Sequence, residues 1–378
     1  MNKSQSSNVS FGLGLFAQTL AQKPGENVFV SPASVEIALA MTLNGARGET
    51  RKAMASVLGL PARASLKQIN EGKAGLIAAL TNPDPKVELA IANALWARKD
   101  VSFKKPFLDR NGKFYGAQCT ALDFDDEQAA LARINGWCSE KTRGKIPTIL
   151  QSIPRAAILY LMNAIYFKGA WTVEFDKTAT RERDFTLLSG GTRKHPAMFQ
   201  SGNYRYLAGE GFQAVSLPYG SGRVSMYIIL PDKGTSLAAF NKALTPENWA
   251  SWMSQFRYTE GDIVLPKFKL EYETDLIPVL TSLGMGIAFD DDLADFSGMC
   301  VLPGENVKIG QVKHKTYVDV NEEGTEAAAV TSIGMVRTTS IRLPRERFTM
   351  IVDRPFDCAI VDNTSGTLLF LGAIVEPK

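Results

Sequence analysis

Histidine is the scarcest chemistry-bearing residue in this chain: among 378 residues there are two, His195 and His314. A zinc site built on three histidines is therefore excluded. Cysteine is nearly as sparse, with residues at 119, 138, 300 and 358 and no CxxC pair. That excludes a disulfide framework and paired-cysteine zinc sites. Cys138 in INGWCSE and Cys358 in PFDCAIV stand where an apolar residue would fit and read as inert buried thiols. Charge of one sign is also missing, since 42 basic residues face 39 acidic ones and no run of five or six like charges occurs. Nothing here points to nucleic acid or to a membrane surface as a partner. The longest strongly apolar stretch, Ala156 to Phe167, is too short to span a bilayer and contains Asn163, so the chain reads as soluble. Its N-terminus, MNKSQSSNVSFGLGLFAQTL, lacks a basic region followed by an apolar core and a small-residue cleavage site. This pattern leaves two compartments open, the cytoplasm or the outside for a chain already processed.

Enzyme motifs are missing as well. There is no P-loop, no GxSxG elbow and no HExxH. Gly12 to Ala17 fits GxGxxA in form, but no strand precedes it. A Ser-His-Asp triad on either histidine stays open in principle, because triad members need not be neighbours in sequence. His314, within the alternating KHKTYVDV, reads instead as a hydrogen-bonded histidine that fixes strand packing. The reading implies no metal and no cofactor.

What is present is a change of texture along the chain. Phe11, Leu15, Phe16 and Leu20 recur at helical spacing, and a second helix follows VSPASVEIALAMTL, with Ser31 as N-cap and Pro32 at the first helical position. A third helix carries Met54, Val57 and Leu58 and stops at Gly59. Helical stretches at 64–80 and 127–141 flank the strand-like VELAIANALWAR. From Ala156 strands dominate: AAILYLMNAIYF, QAVSLPY, RVSMYIILP, DIVLPKFKLEY, VKIGQVKHKTYVDV, RFTMIV, FDCAIVD and TLLFLGAIV, interrupted by helix only at 237–255 and 275–283. Helices early and strands late predict an α+β fold with large, mostly antiparallel sheets. With no linker or repeat, residues 1–378 read as a single domain. Between Val320 and Phe348 lies a long irregular segment, NEEGTEAAAVTSIGMVRTTSIRLPRER; a loop of that length inside a compact protein is usually functional or disordered, which makes it the first place to look for function.

At NEEGTEAAAVTS the chain resembles the hinge of inhibitory serpins, and the resemblance continues through NVFVSPASVEIALAM, NAIYFKGAW, LPKFKLEYETDL, LGMGIAFDDDLADFSGM and DRPFDCAIVDNTSGTLLFLGAIVEP. One departure is Arg354, where the family commonly has histidine. The resemblance implies three sheets, eight or nine helices and an exposed reactive loop at about 322–344. After cleavage that loop inserts as a new strand into the largest sheet. It implies a monomer that traps serine proteases, trypsin-like and also elastase- or subtilisin-like, as a covalent acyl complex, with some cysteine proteases as further targets. By position, Ser31, Ser34, Asn163 and His314 match the polar cluster under the sheet's centre, and Trp171 matches the tryptophan at the top of the opening. Competing readings are a non-inhibitory serpin acting as carrier, chaperone or store, and a hydrolase using a histidine.

The hinge, Glu322, Glu323, Gly324, Thr325, Glu326, Ala327, Ala328, Ala329, Val330 and Thr331, carries its own chemistry. A segment joining the middle of a sheet places alternate residues inward, and Thr325, Ala327, Ala329 and Thr331 form that row with small or β-branched side chains. Glu326 falls on the solvent-facing row. The family's commonest spacing places the reactive bond at Thr338-Thr339, whereas a trypsin-like enzyme would seek Arg337-Thr338, since arginine offers a charge-assisted partner to an acidic pocket.

Overall fold

The computed structural model describes residues 3–61, 63–81, 84–155, 157–302, 306–325 and 347–378. Among them, nine α-helices surround three sheets. The largest sheet has nine strands. Its path runs from Val28–Val30 through Thr367–Ile374, Phe356–Asp362, Val224–Pro231, Phe212–Tyr219, Thr192–Gly209 and Arg257–Pro266 to Phe348–Ile351, with Arg181–Thr186 beside Thr192–Gly209. A two-stranded ribbon joins Ser102–Phe103 to Cys300–Val301. The third sheet, which carries the site, has the order Phe268–Asp275, Gln311–Asn321, Gly324–Thr325, Leu159–Ala170, Val87–Arg98 and Gln118–Leu122.

The apolar Leu159–Ala170 strand, broken only by Asn163 and Lys168, is buried on both faces over most of its length. On one face Leu159, Leu161, Ile165 and Phe167 join the main core. On the other, Tyr160, Met162 and Ala164 join a second core under the helix Glu127–Lys141, where Trp96 meets Trp137 edge to face at 5.9 Å. The helix Pro32–Leu43 is buried at every position, so its sequence shows no polar stripe. Ser31 caps it as expected, its Oγ accepting from the Ser34 amide at 3.3 Å. Helix Gly48–Val57 ends as read, with Gly59 at φ +59° just past it. No helix among the described residues is long and apolar enough to cross a membrane.

Some elements differ from the sequence reading. DIVLPKFKLEY is two strands in two sheets, Arg257–Pro266 and Phe268–Asp275, because Lys267 turns the chain and gives its amide to Pro196 O at 2.9 Å. The helix Lys105–Tyr115, with Pro106 in its first turn and Gly116 as a left-handed cap, buries Phe107, Asn111 and Tyr115 at spacings of four, and the sequence reading passed over it. The helix placed at 275–283 is a single turn, Ile277–Leu280, distorted beyond it at Gly284.

Candidate functional site

The site is a seam in the six-stranded sheet. The strands Gln311–Asn321 and Leu159–Ala170 pair in parallel from Gln311 opposite Tyr160 to Thr316 opposite Ile165. Above that they diverge, and Gly324 and Thr325 enter the gap as a short strand, antiparallel to both neighbours. Val320 faces Thr325 on one side and Gly169 faces it on the other. Two residues of the hinge therefore already occupy a strand position between the two strands.

Their chemistry suits the place. Thr325 is fully buried and its Oγ1 shares a hydrogen bond of 2.6 Å with the Tyr219 hydroxyl. Gly324 has φ +152°, and a Cβ there would lie 2.1 Å from Gly169 O, so only glycine fits. Tyr219 stacks on Trp171 with ring centroids 4.3 Å apart. Trp171 in turn gives its indole N–H to Asn321 O at 2.9 Å and its amide to Glu323 O at 3.0 Å. Glu322 is buried, accepting from Lys267 Nζ at 2.9 Å and from Thr180 Oγ1 at 2.8 Å. Burial pushes its carboxyl up, but the bonds from Lys267 and Thr180 outweigh that and hold it below the usual range. Glu323 pairs with Lys177. The start of the hinge is thus pinned through both of its first two acidic residues.

Below the gap a polar cluster bridges the seam. His314 and Asn163 are opposite residues on the two strands, with Nδ1 and Oδ1 at 2.6 Å. The Ser31 amide donates to His314 Nε2 at 3.0 Å, so Nε2 is the acceptor and the proton sits on Nδ1, donated to Asn163. Asn163 Nδ2 donates to Ser34 O at 3.0 Å and to Asn93 Oδ1 at 2.7 Å, while Ser31 Oγ donates to Leu369 O at 2.6 Å. Four of the predicted residues, Ser31, Ser34, Asn163 and His314, meet in one buried network, and Trp171 stands apart at the top of the gap. Burial lowers the His314 pKa to about 3. Both ring nitrogens are engaged inside the sheet, which leaves no imidazole free for a triad there.

Sequence reasoning missed Asn93, Tyr219, Lys267, Thr180 and Lys177. Asn93 had a signal, a lone amide inside VELAIANALWAR; the others come from segments with no local pattern to mark them. Glu326, Ala327, Ala328, Ala329, Val330, Thr331, Arg337, Thr338 and Thr339 lie outside the described residues. Arg354, the departure from the family pattern, donates from Nε to Pro231 O at 2.9 Å and pairs with Asp353 at 2.6 Å. Cys138, Cys300 and Cys358 are buried, and desolvation pushes the first two thiols up to about 12 and about 11, so neither is a nucleophile at neutral pH.

A fold with a hinge poised in a split sheet defines a class, and the comparisons give it a name. The family model Serpin (serine protease inhibitor) matches residues 6–377. Serpin B6 of Macaca fascicularis is 36% identical over 377 residues, covering 98% of each chain. The human leukocyte elastase inhibitor is 34% identical over 388 residues, covering 100% of both. Among solved structures, the native thermophilic serpin tengpin superposes with a TM-score of 0.91 at 33% identity, covering 100% of this chain and 95% of that one. The chain belongs to the serpin family.

The neutral histidine in the seam gives a pH prediction. In the unfolded chain its pKa is the ordinary 6.5, in the fold about 3. Below pH 6.5 the unfolded state therefore binds a proton that the folded state refuses, so stability is full above 6.5 and falls as pH drops towards 3. The slope is at most one proton, about 1.4 kcal/mol per pH unit. Urea midpoints of His314→Gln should lose that slope between pH 4 and 6; an unchanged slope would mean that His314 is not the buried base.

Proposed function

We propose that the protein is a suicide-substrate inhibitor of serine proteases, acting as a single-domain monomer with its reactive loop at about 322–344. The observation that carries this reading is the pair Gly324–Thr325, already hydrogen-bonded as the start of a strand where two strands of the six-stranded sheet part; that sheet, and not the nine-stranded one, is the sheet the loop would enter. A protease serine attacks the bait bond and forms an acyl bond to the loop. The loop then extends the Gly324–Thr325 strand downward before water hydrolyses the ester. Extension requires the parallel pairing below to open, so the His314–Asn163 bond across it is the latch, and Trp171, Glu322 and Glu323 hold the entry. Continued as a strand from the buried Thr325, period-two alternation would place Ala327, Ala329 and Thr331 on the inward row, with no bulky or charged side chain among them. A dozen new strand residues at about 1 kcal/mol of net hydrogen bonding each, plus burial, release on the order of 10 kcal/mol. Fourteen residues at about 3.3 Å carry the protease about 45 Å, and pressing it against the far end distorts its oxyanion hole, so deacylation stalls.

The test is a panel of trypsin-like, elastase-like and subtilisin-like proteases run on denaturing gels. At least one should give a complex that survives SDS and boiling, because an ester holds it. The mass of the released C-terminal peptide reads the cut: a fragment starting at Thr338 assigns Arg337, and one starting at Thr339 assigns Thr338-Thr339. Cleaved chain with full residual protease activity throughout the panel would end the inhibitor reading, and a cut outside 336–339 by every trapped protease would overturn the register.

A further inference from the structure

A cavity of about 720 Å³ lies between the helices Lys3–Gln22, Pro32–Leu43 and Leu66–Leu80 and the turn at 364–367. That volume suits a small organic molecule. Its walls are apolar, with Leu60, Ala64, Ile69 and Leu76. Its floor holds the buried ion pair Lys73–Glu36. Both Glu36 oxygens are engaged, one by Lys73 and the other by Asn8 Nδ2 at 2.7 Å, and Asn8 spends its own oxygen on the Leu368 amide at 2.8 Å. Lys73 has three N–H donors and, among the described residues, Glu36 is its one acceptor. At the mouth, Arg63 adds a second cation that forms no ion pair among the described residues.

The geometry points to a binding site for a small amphiphilic anion, a carboxylate or similar acidic head on an apolar body, with the head on Lys73 and the body against Ala64, Ile69 and Leu76. An anion is favoured over a cation because Lys73 keeps two N–H donors beyond its bond to Glu36 and Arg63 adds positive charge at the mouth, while both Glu36 oxygens are already engaged. A neutral alcohol of the same body gains the burial but not the charge-assisted bond.

Isothermal titration with decanoate, decanol and decylammonium on the full chain tests this. Decanoate should bind one to one, at least tenfold more tightly than decanol, with decylammonium weaker still. Lys73→Met should cost at least tenfold in decanoate affinity and erase the preference over decanol. Since that change strands Glu36, the double variant Lys73→Met with Glu36→Gln serves if the single one does not fold. Ala64→Trp, which fills the mouth and leaves the ion pair intact, should also abolish binding. No saturable binding by decanoate, equal binding of decylammonium, or decanoate binding indifferent to Lys73 and Ala64 would each overturn the assignment.

Discussion

Thr325→Arg is expected to turn the protein from inhibitor into substrate. Thr325 has no exposed surface, and its hydroxyl is bonded to Tyr219 beneath the sheet. A guanidinium at that inward position has no acidic partner and would cost several kcal/mol to bury. The short Gly324–Thr325 strand would leave the gap, and extension would lose its starting point. In the proposed mechanism insertion and hydrolysis of the acyl bond compete, so slowing insertion by a few kcal/mol shifts the partition by tenfold or more, since each 1.4 kcal/mol is tenfold. Titrating a trapped protease with the variant should raise the number of inhibitor molecules consumed per protease inactivated at least tenfold, while cleavage at the bait bond continues. Thr325→Val, which keeps the shape and loses only the bond to Tyr219, should stay near the parent value. Unchanged stoichiometry for the arginine variant would remove the insertion mechanism.

Asp357→Val should make the protein markedly more stable at neutral pH. Asp357 stands in the Phe356–Asp362 strand between Ile229 and Ala373, is almost fully buried, and neither carboxyl oxygen has a hydrogen-bond partner. The Asn241 side chain lies close enough to oppose the effect of burial in part, but its Oδ1 and both carboxyl oxygens lack a partner of good hydrogen-bond geometry. Burial pushes the Asp357 carboxyl well above the usual carboxylate range, so the fold keeps it protonated. The sign follows. Below pH 3.8 both states hold the proton and the penalty is absent; above it the unfolded chain releases a proton that the folded chain retains, so stability falls as pH rises. Replacement by a β-branched apolar residue matches the row and the strand, and should gain on the order of 2–4 kcal/mol at pH 7.5. The gain should shrink towards pH 4. Thermal midpoints of the two proteins at pH 4 and 7.5 read both effects, and equal midpoints at pH 7.5 would show that Asp357 carries no penalty. Inhibition should be unaffected, because the nine-stranded sheet keeps its pairing in the proposed insertion.

The sequence by itself determined most elements and the family. Local rules sufficed where a signal was confined to neighbouring residues: the Ser31-Pro32 helix start, the Glu127–Lys141 helix and the FDCAIVD strand. The tertiary structure alone decided what those elements do to each other. Ser31 and His314 are 283 positions apart, and Asn163 and His314 are 151 apart, yet they share one hydrogen-bonded chain. Nothing in either local pattern encodes the partner. The anchoring of Glu322 on Lys267, the stacking of Tyr219 on Trp171 and the unpartnered carboxyl of Asp357 were equally hidden. DIVLPKFKLEY illustrates the reason. A run of strand-forming residues reports the backbone's extended shape, but which sheet each half joins depends on pairing partners far away, and here Lys267 sends the halves into different sheets. Periodicity reports which side chains turn inward; only packing settles what they meet there, and hydrogen bonds inside a low-dielectric core depend on that meeting.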